Sequence, residues 1–321
     1  DRLLEDHGKA DEMRAWLAGS AAMLAGAMGA SLYTARTARR AELMVPMDGR
    51  LVQAGPHTFH VAEEGLGRPL LLIHGLAGQM RNFGRPMIDD LARDYRVIRI
   101  DRPGSGYSPR LPSRRAHLAE QADAVAALID ELGLDRPVLV GHSLGGALSL
   151  AIAIRHPDKV SALALIAPAT QRIESVPEVF KGLVVPPAIL PLVAWTVAVP
   201  VGVATSGKVL HEVFKPDPVP PNFLIDGGGM LGFRPGAFQG AATDLADASS
   251  EAEDLVAAYP KLKLPVGIFF GREDNILDYR LHGQKTASEI PGAKLTLTDG
   301  GHMLPFTVPE QTARFVRSVI E

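Results

Sequence analysis

Ser143, Asp274 and His302 are the residues of this chain whose types and settings could together perform acyl transfer. Ser143 lies between a short apolar run, Val138 to Val140, and an Ala/Leu-rich run, in the sequence Gly141-His142-Ser143-Leu144-Gly145. That pattern reads as strand, sharp turn, helix. Such a turn strains its central residue and presents the side chain at a sheet end, while flanking glycines leave room where a Cβ would clash. The bare G-x-S-x-G pattern is weak in a chain with 32 glycines, so the strand before it and the helix after it carry the reading.

Acyl transfer by serine also needs a base for the hydroxyl proton, an acid to hold that base, and donors for the oxyanion. His302 follows the strand-like Lys294 to Thr298 on a Gly-Gly loop, and Asp274 follows Pro265 to Phe270 through Gly271-Arg272-Glu273. In a parallel sheet both would stand at the edge that carries Ser143. The order Ser143, Asp274, His302 is the one expected of a nucleophile-elbow architecture. Backbone N–H groups of Leu144, next to Ser143, and Leu76, after His74-Gly75, can point at one oxygen. Such donors are worth about 3 kcal/mol each. Glu273, Asp278 and Asp299 lie near enough to compete with Asp274 but read as loop-surface residues. His74 and His142 border the site in packing or hydrogen-bonding roles. His57 and His60, an odd number of positions apart on an alternating strand, face opposite ways and make no metal pair. Gly227 to Gly229 lacks the strand before and the Lys after that a phosphate loop needs. No cofactor or metal is expected.

The elements that must position these residues can be followed along the chain. With 321 residues, 46% hydrophobic and 21% charged, it reads as one globular domain with an insertion or appendage. A net charge of −3 provides no field to recruit nucleic acid. The absence of Cys excludes disulfides and thiolate metal sites. From about Leu51 onward, strand-like runs at Thr58 to Ala62, Pro69 to Ile73, Tyr95 to Ile100, Val138 to Val140 and Val160 to Ile166 alternate with helical ones. This alternation calls for a mostly parallel sheet covered on both faces. Between Ala167 and Lys263 it breaks, and Gly182 to Gly207 carries no charge. Pro186, Pro187, Pro191 and Pro200 should interrupt that run, which reads as an apolar cap and not a membrane crossing.

Residues 1–45 stand apart. Ala15 to Ala35 is uncharged, with Arg14 before it and Arg36, Arg39 and Arg40 after it. As a helix it has a bulky stripe (Met13, Leu17, Leu24, Met28, Leu32) and a small-residue ridge (Ala18, Ala22, Gly26, Ala30) onto which a second helix could pack. A membrane anchor, an oligomerisation or domain-clasping arm, and a signal peptide are the alternatives.

Across residues 51–321 the chain resembles the α/β-hydrolase superfamily, through His74-Gly75, Asp101-Arg102-Pro103-Gly104-Ser105-Gly106-Tyr107-Ser108, Gly141 to Gly145, Gly271 to Asp274 and Gly300-Gly301-His302. It looks closest to capped bacterial carboxylesterases and monoacylglycerol-lipase-like enzymes, some of which carry an N-terminal membrane helix. The resemblance implies an α/β fold: an eight-stranded, mostly parallel sheet flanked by helices, with a helical cap inserted after the sixth strand and here an extra N-terminal helix. The core would be 46–168 and 264–321, the cap 169–263. Related dehalogenases and epoxide hydrolases use an Asp nucleophile, which Ser143 disfavours. Carbon-carbon bond hydrolases of the fold keep Ser, with Asn usual where this chain has His142.

The expected activity is therefore cofactor-independent cleavage of carboxylic esters with apolar acyl or alcohol parts, by a Ser143-His302-Asp274 triad through an acyl-enzyme. Carbon-carbon hydrolysis or acyl transfer with the same triad is the alternative, and a non-catalytic binding protein is a third. The expected partner is a small apolar ester, with membrane contact or homo-oligomer formation through the N-terminal helix. The location is accordingly at a membrane or in the cytoplasm.

Overall fold

The structure, a computed structural model, describes residues 2–111, 116–248 and 251–321. Eight strands form one sheet: β1 (Arg50–Ala54), β2 (His57–Glu64), β3 (Arg68–Ile73), β4 (Tyr95–Ile100), β5 (Val138–His142), β6 (Ala162–Ile166), β7 (Val266–Gly271) and β8 (Lys294–Thr298). Their order is β1-β2-β4-β3-β5-β6-β7-β8. β2 runs antiparallel to both β1 and β4, and every other pairing is parallel. The central strands β5 and β6 are buried at every position. That is why they read as unbroken apolar runs: helices cover both faces of a parallel sheet.

In chain order the α-helices of seven residues or more are α1 (Arg2–Met44), α2 (Arg85–Leu91), α3 (Leu118–Glu131), α4 (Leu144–Arg155), α5 (Leu190–Phe214), α6 (Pro235–Ala248), α7 (Ala252–Ala258) and α8 (Pro309–Ile320). Val125, Leu128 and Ile129 of α3 pack with Leu148 and Ile152 of α4 on one face of the sheet. Met87 and Leu91 of α2 meet Ala313 and Val316 of α8 on the other. Strand order reverses around β3, and Ile73 is paired with Gly141. The loop after β3 and the turn after β5 are therefore neighbours, at the crevice where open α/β sheets bind ligands.

Between β6 and β7 lie the insertion helices α5, α6 and α7. The four prolines interrupt the apolar run less than expected. Pro186 and Pro187 precede α5, but Pro191 and Pro200 lie within it. Pro191 falls in its first turn, where the missing N–H is no loss, and the residues before Pro200 form a π-helical turn, Ala194–Ala198. Wider turns of that kind absorb an interruption of the α-helical ladder. By length and composition alone α5 could cross a membrane, and only 11% of its most apolar window is buried.

The N-terminal helix α1 packs over part of its length. Its C-terminal half lies against the insertion, at the π turn of α5 and near Gly229–Phe233. The side turned inward carries Ala27, Ser31, Thr34, Ala38 and Ala41, a spacing of three and four that keeps one face in contact. Of the small-residue ridge, Ala18, Ala22 and Gly26 are exposed and Ala30 is half-buried, and a Cβ on Gly26 would meet nothing within 4 Å. The bulky stripe faces outward, with Leu24 and Met28 each 66% exposed.

Candidate active site

The turn between β5 and α4 places Ser143 at φ 54°, ψ −121°. A non-glycine residue held at such an angle costs on the order of 1–3 kcal/mol and needs support. Support comes from Ser143 N donating to Ile166 O (3.0 Å), and from Ser143 O accepting from Gly146 N (2.9 Å) and Ala169 N (3.0 Å). The flanking glycines are required by close approach. A Cβ on Gly145 would lie 2.0 Å from Ile73 O, and one on Gly141 would lie 2.5 Å from Gly145 O.

Past β8, the Gly300-Gly301 loop brings His302 to the same sheet edge. Its Nδ1 is 2.8 Å from Asp274 Oδ2, and both side chains are buried. The other carboxylate oxygen, Oδ1, accepts from Ile276 N (2.8 Å) and Leu277 N (3.0 Å). Asp274 is thus fixed in position before it meets the imidazole. The alternatives to it are otherwise engaged: Glu273 accepts from Gly300 N, Asp278 from Arg280 N, and Asp299 is exposed. His142 hydrogen-bonds through Nε2 to the carbonyl of His302 (3.0 Å), with the rings 5.0 Å apart. Burial, helped by the neighbouring His302, pushes the His142 imidazole down to about 3. His142 is therefore neutral, and its Nε2–H donates.

Ser143 and His302 line one cavity of about 410 Å³. Among the described residues no hydrogen bond joins Ser143 Oγ to the imidazole, a gap that commonly closes only around substrate. Leu76 lines the same cavity, beside Ser143: a Cβ on Gly75 would lie 2.8 Å from Ser143 Cβ. Leu144 opens α4, so its N–H belongs to the group that a helix leaves without an intrahelical partner. The farther walls are apolar and include Val193, Val197 and Val201 of α5. Val197 and Val201 are each 52% exposed, so the cavity reaches the surface at the apolar face of α5. Among the described residues no cluster of His, Asp and Glu suits a metal ion. His60 is bound to Asp101 (2.7 Å), and His57 is not part of that pair.

One layer behind the cavity lies an arrangement that motif reasoning missed. Arg102, fully buried, donates from Nε to His74 O (3.0 Å) and from Nη2 to Gly75 O (3.0 Å). It also pairs with Asp244 of α6 (2.8 Å), a carboxylate fully buried beneath the insertion. His74 Nδ1 meets Gly75 O (2.9 Å), while its Nε2 accepts from Arg102 N (3.0 Å). Burial, and then the Arg102 cation, push His74 down to about 4. The sequence marks Arg102 only as part of a turn-rich loop, and nothing distinguishes Asp244 from the other acidic residues of its helix.

Residues 68–202 match the family profile described as alpha/beta hydrolase fold. The chain is 38% identical over 120 residues to a 2-hydroxy-6-oxo-2,4-heptadienoate hydrolase of Pseudomonas putida, an alignment covering 37% of this chain and 44% of that protein. It spans less than half the length of the first curated relatives it matches. A longer match, 28% identical over 85% of this chain and 90% of the relative, is to the magnesium-chelatase 30 kDa subunit of Rhodobacter capsulatus. Among solved structures, a membrane phospholipase A described as a bacterial virulence factor superposes with a TM-score of 0.66 at 23% identity, covering 96% of this chain and 98% of that one. With sheet order, elbow and profile in agreement, the chain has the α/β-hydrolase fold.

Proposed function

We propose that the chain is a serine hydrolase of carboxylic esters with apolar acyl or alcohol groups. The observation that carries the reading is a strained serine and an Asp-held imidazole sharing one apolar cavity. Ser143 Oγ attacks the ester carbonyl carbon and His302 Nε2 takes the hydroxyl proton. Asp274 keeps the proton on Nδ1 and stabilises the imidazolium. The N–H groups of Leu76 and Leu144 receive the oxyanion. Collapse breaks the carbon-oxygen bond, and the leaving alcohol takes the proton from His302. Water then attacks the acyl-enzyme, giving its proton to His302, and release of the carboxylic acid returns that proton to Ser143. The insertion, 169–263, is the cap that supplies the apolar wall.

Membrane contact belongs to the same proposal. Leu192, Trp195 and Val201 of α5 are exposed together with Trp16, Met23 and Leu24 of α1. Exposed apolar side chains of this kind on two helices suit an apolar medium. Carbon-carbon bond cleavage is the second reading, favoured by the similarity to the heptadienoate hydrolase. A panel of p-nitrophenyl esters of graded acyl length, run beside a 2-hydroxy-6-oxo-dienoate, separates the two. Ester turnover that exceeds dienoate turnover and disappears in Ser143→Ala supports the proposal, and the reverse preference rejects it.

A further inference from the structure

The Gly75–Leu76 peptide is held from its carbonyl side. A peptide unit is planar and trans, so fixing the Gly75 C=O direction also fixes the opposed Leu76 N–H. Three donors reach that carbonyl: His74 Nδ1 (2.9 Å), Arg102 Nη2 (3.0 Å) and Gly78 N (3.3 Å). A cation bonded to the C=O also polarises the unit, which makes its N–H a stronger donor. Arg102 holds the preceding carbonyl, His74 O, as well. The guanidinium is thus a two-pronged brace behind the loop that borders Ser143.

On its other side the brace meets Asp244 of the insertion through an ion pair without hydrogen-bond geometry, and Gln121 of α3 through a hydrogen bond. Asp244 Oδ2 lies 2.8 Å from Arg102 Nη2, and neither side chain is exposed. Gln121 of α3 accepts from Arg102 Nη1 (2.9 Å), and Arg110 contacts the other Asp244 oxygen. Helix α6 is seated tightly here, since a Cβ on Gly240 would lie 2.0 Å from Gly104 O. Ala241, three residues before Asp244 on the same helix, lines the cavity. One helix therefore touches both the substrate space and the brace.

We propose that Asp244 is a positioning residue of the insertion which, through Arg102, sets the Leu76 N–H toward the oxyanion. The proposal rests on the hydrolase reading above. It makes the seating of α6 a condition for oxyanion stabilisation and not only a wall for substrate.

The test uses the full chain and Asp244→Asn, which keeps the volume and removes the charge. Active sites are counted by fluorophosphonate titration, and p-nitrophenyl butyrate turnover is expressed per titrated site. A trifluoromethyl ketone of the same acyl chain, which forms a hemiketal oxyanion with serine, is compared with its methyl ketone parent. The expected result is a kcat on the order of 10- to 100-fold lower, somewhat less than the loss of a whole donor. The trifluoromethyl ketone should weaken by the same factor, while KM and methyl ketone inhibition stay within about threefold. Unchanged kcat and trifluoromethyl ketone affinity would overturn the proposal, as would equal weakening of both ketones, the mark of a damaged pocket. Should Asp244→Asn fail to fold, Arg102→Lys keeps a cation for Asp244 without the two-carbonyl fork. The same selective loss is expected there, and its absence overturns the proposal. A wild-type chain that takes no label overturns the hydrolase reading itself, so the two failures are distinguishable.

Discussion

Gly75→Ala tests the oxyanion geometry with a single methyl group. The added Cβ would lie 2.8 Å from Ser143 Cβ and 3.3 Å from both Ser143 Oγ and His142 O. Carbon atoms pack at about 3.5–4.0 Å, so the loop and the elbow must separate by roughly 1 Å. Neither side gives easily. Ser143 is tied through Ile166, Gly146 and Ala169, and the Gly75 carbonyl is tied through His74 and Arg102. A misplacement of about 1 Å in a catalytic array costs on the order of 10²-fold. Loss of one oxyanion donor costs about 10²- to 10³-fold. Gly75→Ala should therefore lower kcat/KM for p-nitrophenyl butyrate by roughly 100-fold or more, mostly through kcat, with thermal unfolding used to show that the fold survives. Activity within threefold of wild type in a folded variant would refute the placement of Leu76 N–H at the oxyanion.

Asp274→Asn should cut kcat by about 10⁴-fold, because an amide no longer holds the His302 proton on Nδ1, though Ile276 and Leu277 can still cap its oxygen; a loss below tenfold contradicts the triad. Stability should fall as pH drops below 6.5. Burial holds His142 near 3 and His74 and His282 near 4 when folded, so the unfolded chain binds protons there that the native chain does not. Stability is complete above the ordinary histidine range and is lost toward pH 4. At pH 5 each imidazole costs about 2 kcal/mol. Urea titrations at pH 7 and 5 measure this, and equal midpoints contradict it. Removing residues 1–25, which stops short of the packed residues Thr34 and Ala41, should reduce sedimentation with phosphatidylglycerol vesicles while leaving turnover of a soluble ester within a few-fold. Unchanged sedimentation argues against membrane contact through α1.

Much of the core can be read from the sequence because its signals are local. Strand β8 needs only the run Lys294 to Thr298, and the elbow needs only glycines on either side of Ser143. The pairing of Asp274 with His302 follows from parallel order, a rule that transfers position along the chain into position along an edge. The insertion is harder. Four prolines suggest a broken run, but whether a proline breaks a helix depends on its place in the turn and on whether a π turn can absorb it. The packed face of α1 cannot be chosen from its own pattern, because small residues occupy more than one side and the partner surface is made by distant α5. Arg102 and Asp244 are invisible for a related reason. Each looks like an ordinary loop or helix charge until the fold removes both from water.

The central claim is that Ser143 is a nucleophile activated in place, and covalent labelling with peptide mapping tests it most directly. The full chain treated with a fluorophosphonate should take up one label per chain, on the peptide containing Ser143. Ester turnover should fall in proportion to labelling, and Ser143→Ala should take up no label and lose about 10⁴-fold or more in turnover. Label on another residue, or a Ser143→Ala chain that keeps turnover within tenfold, would contradict the account.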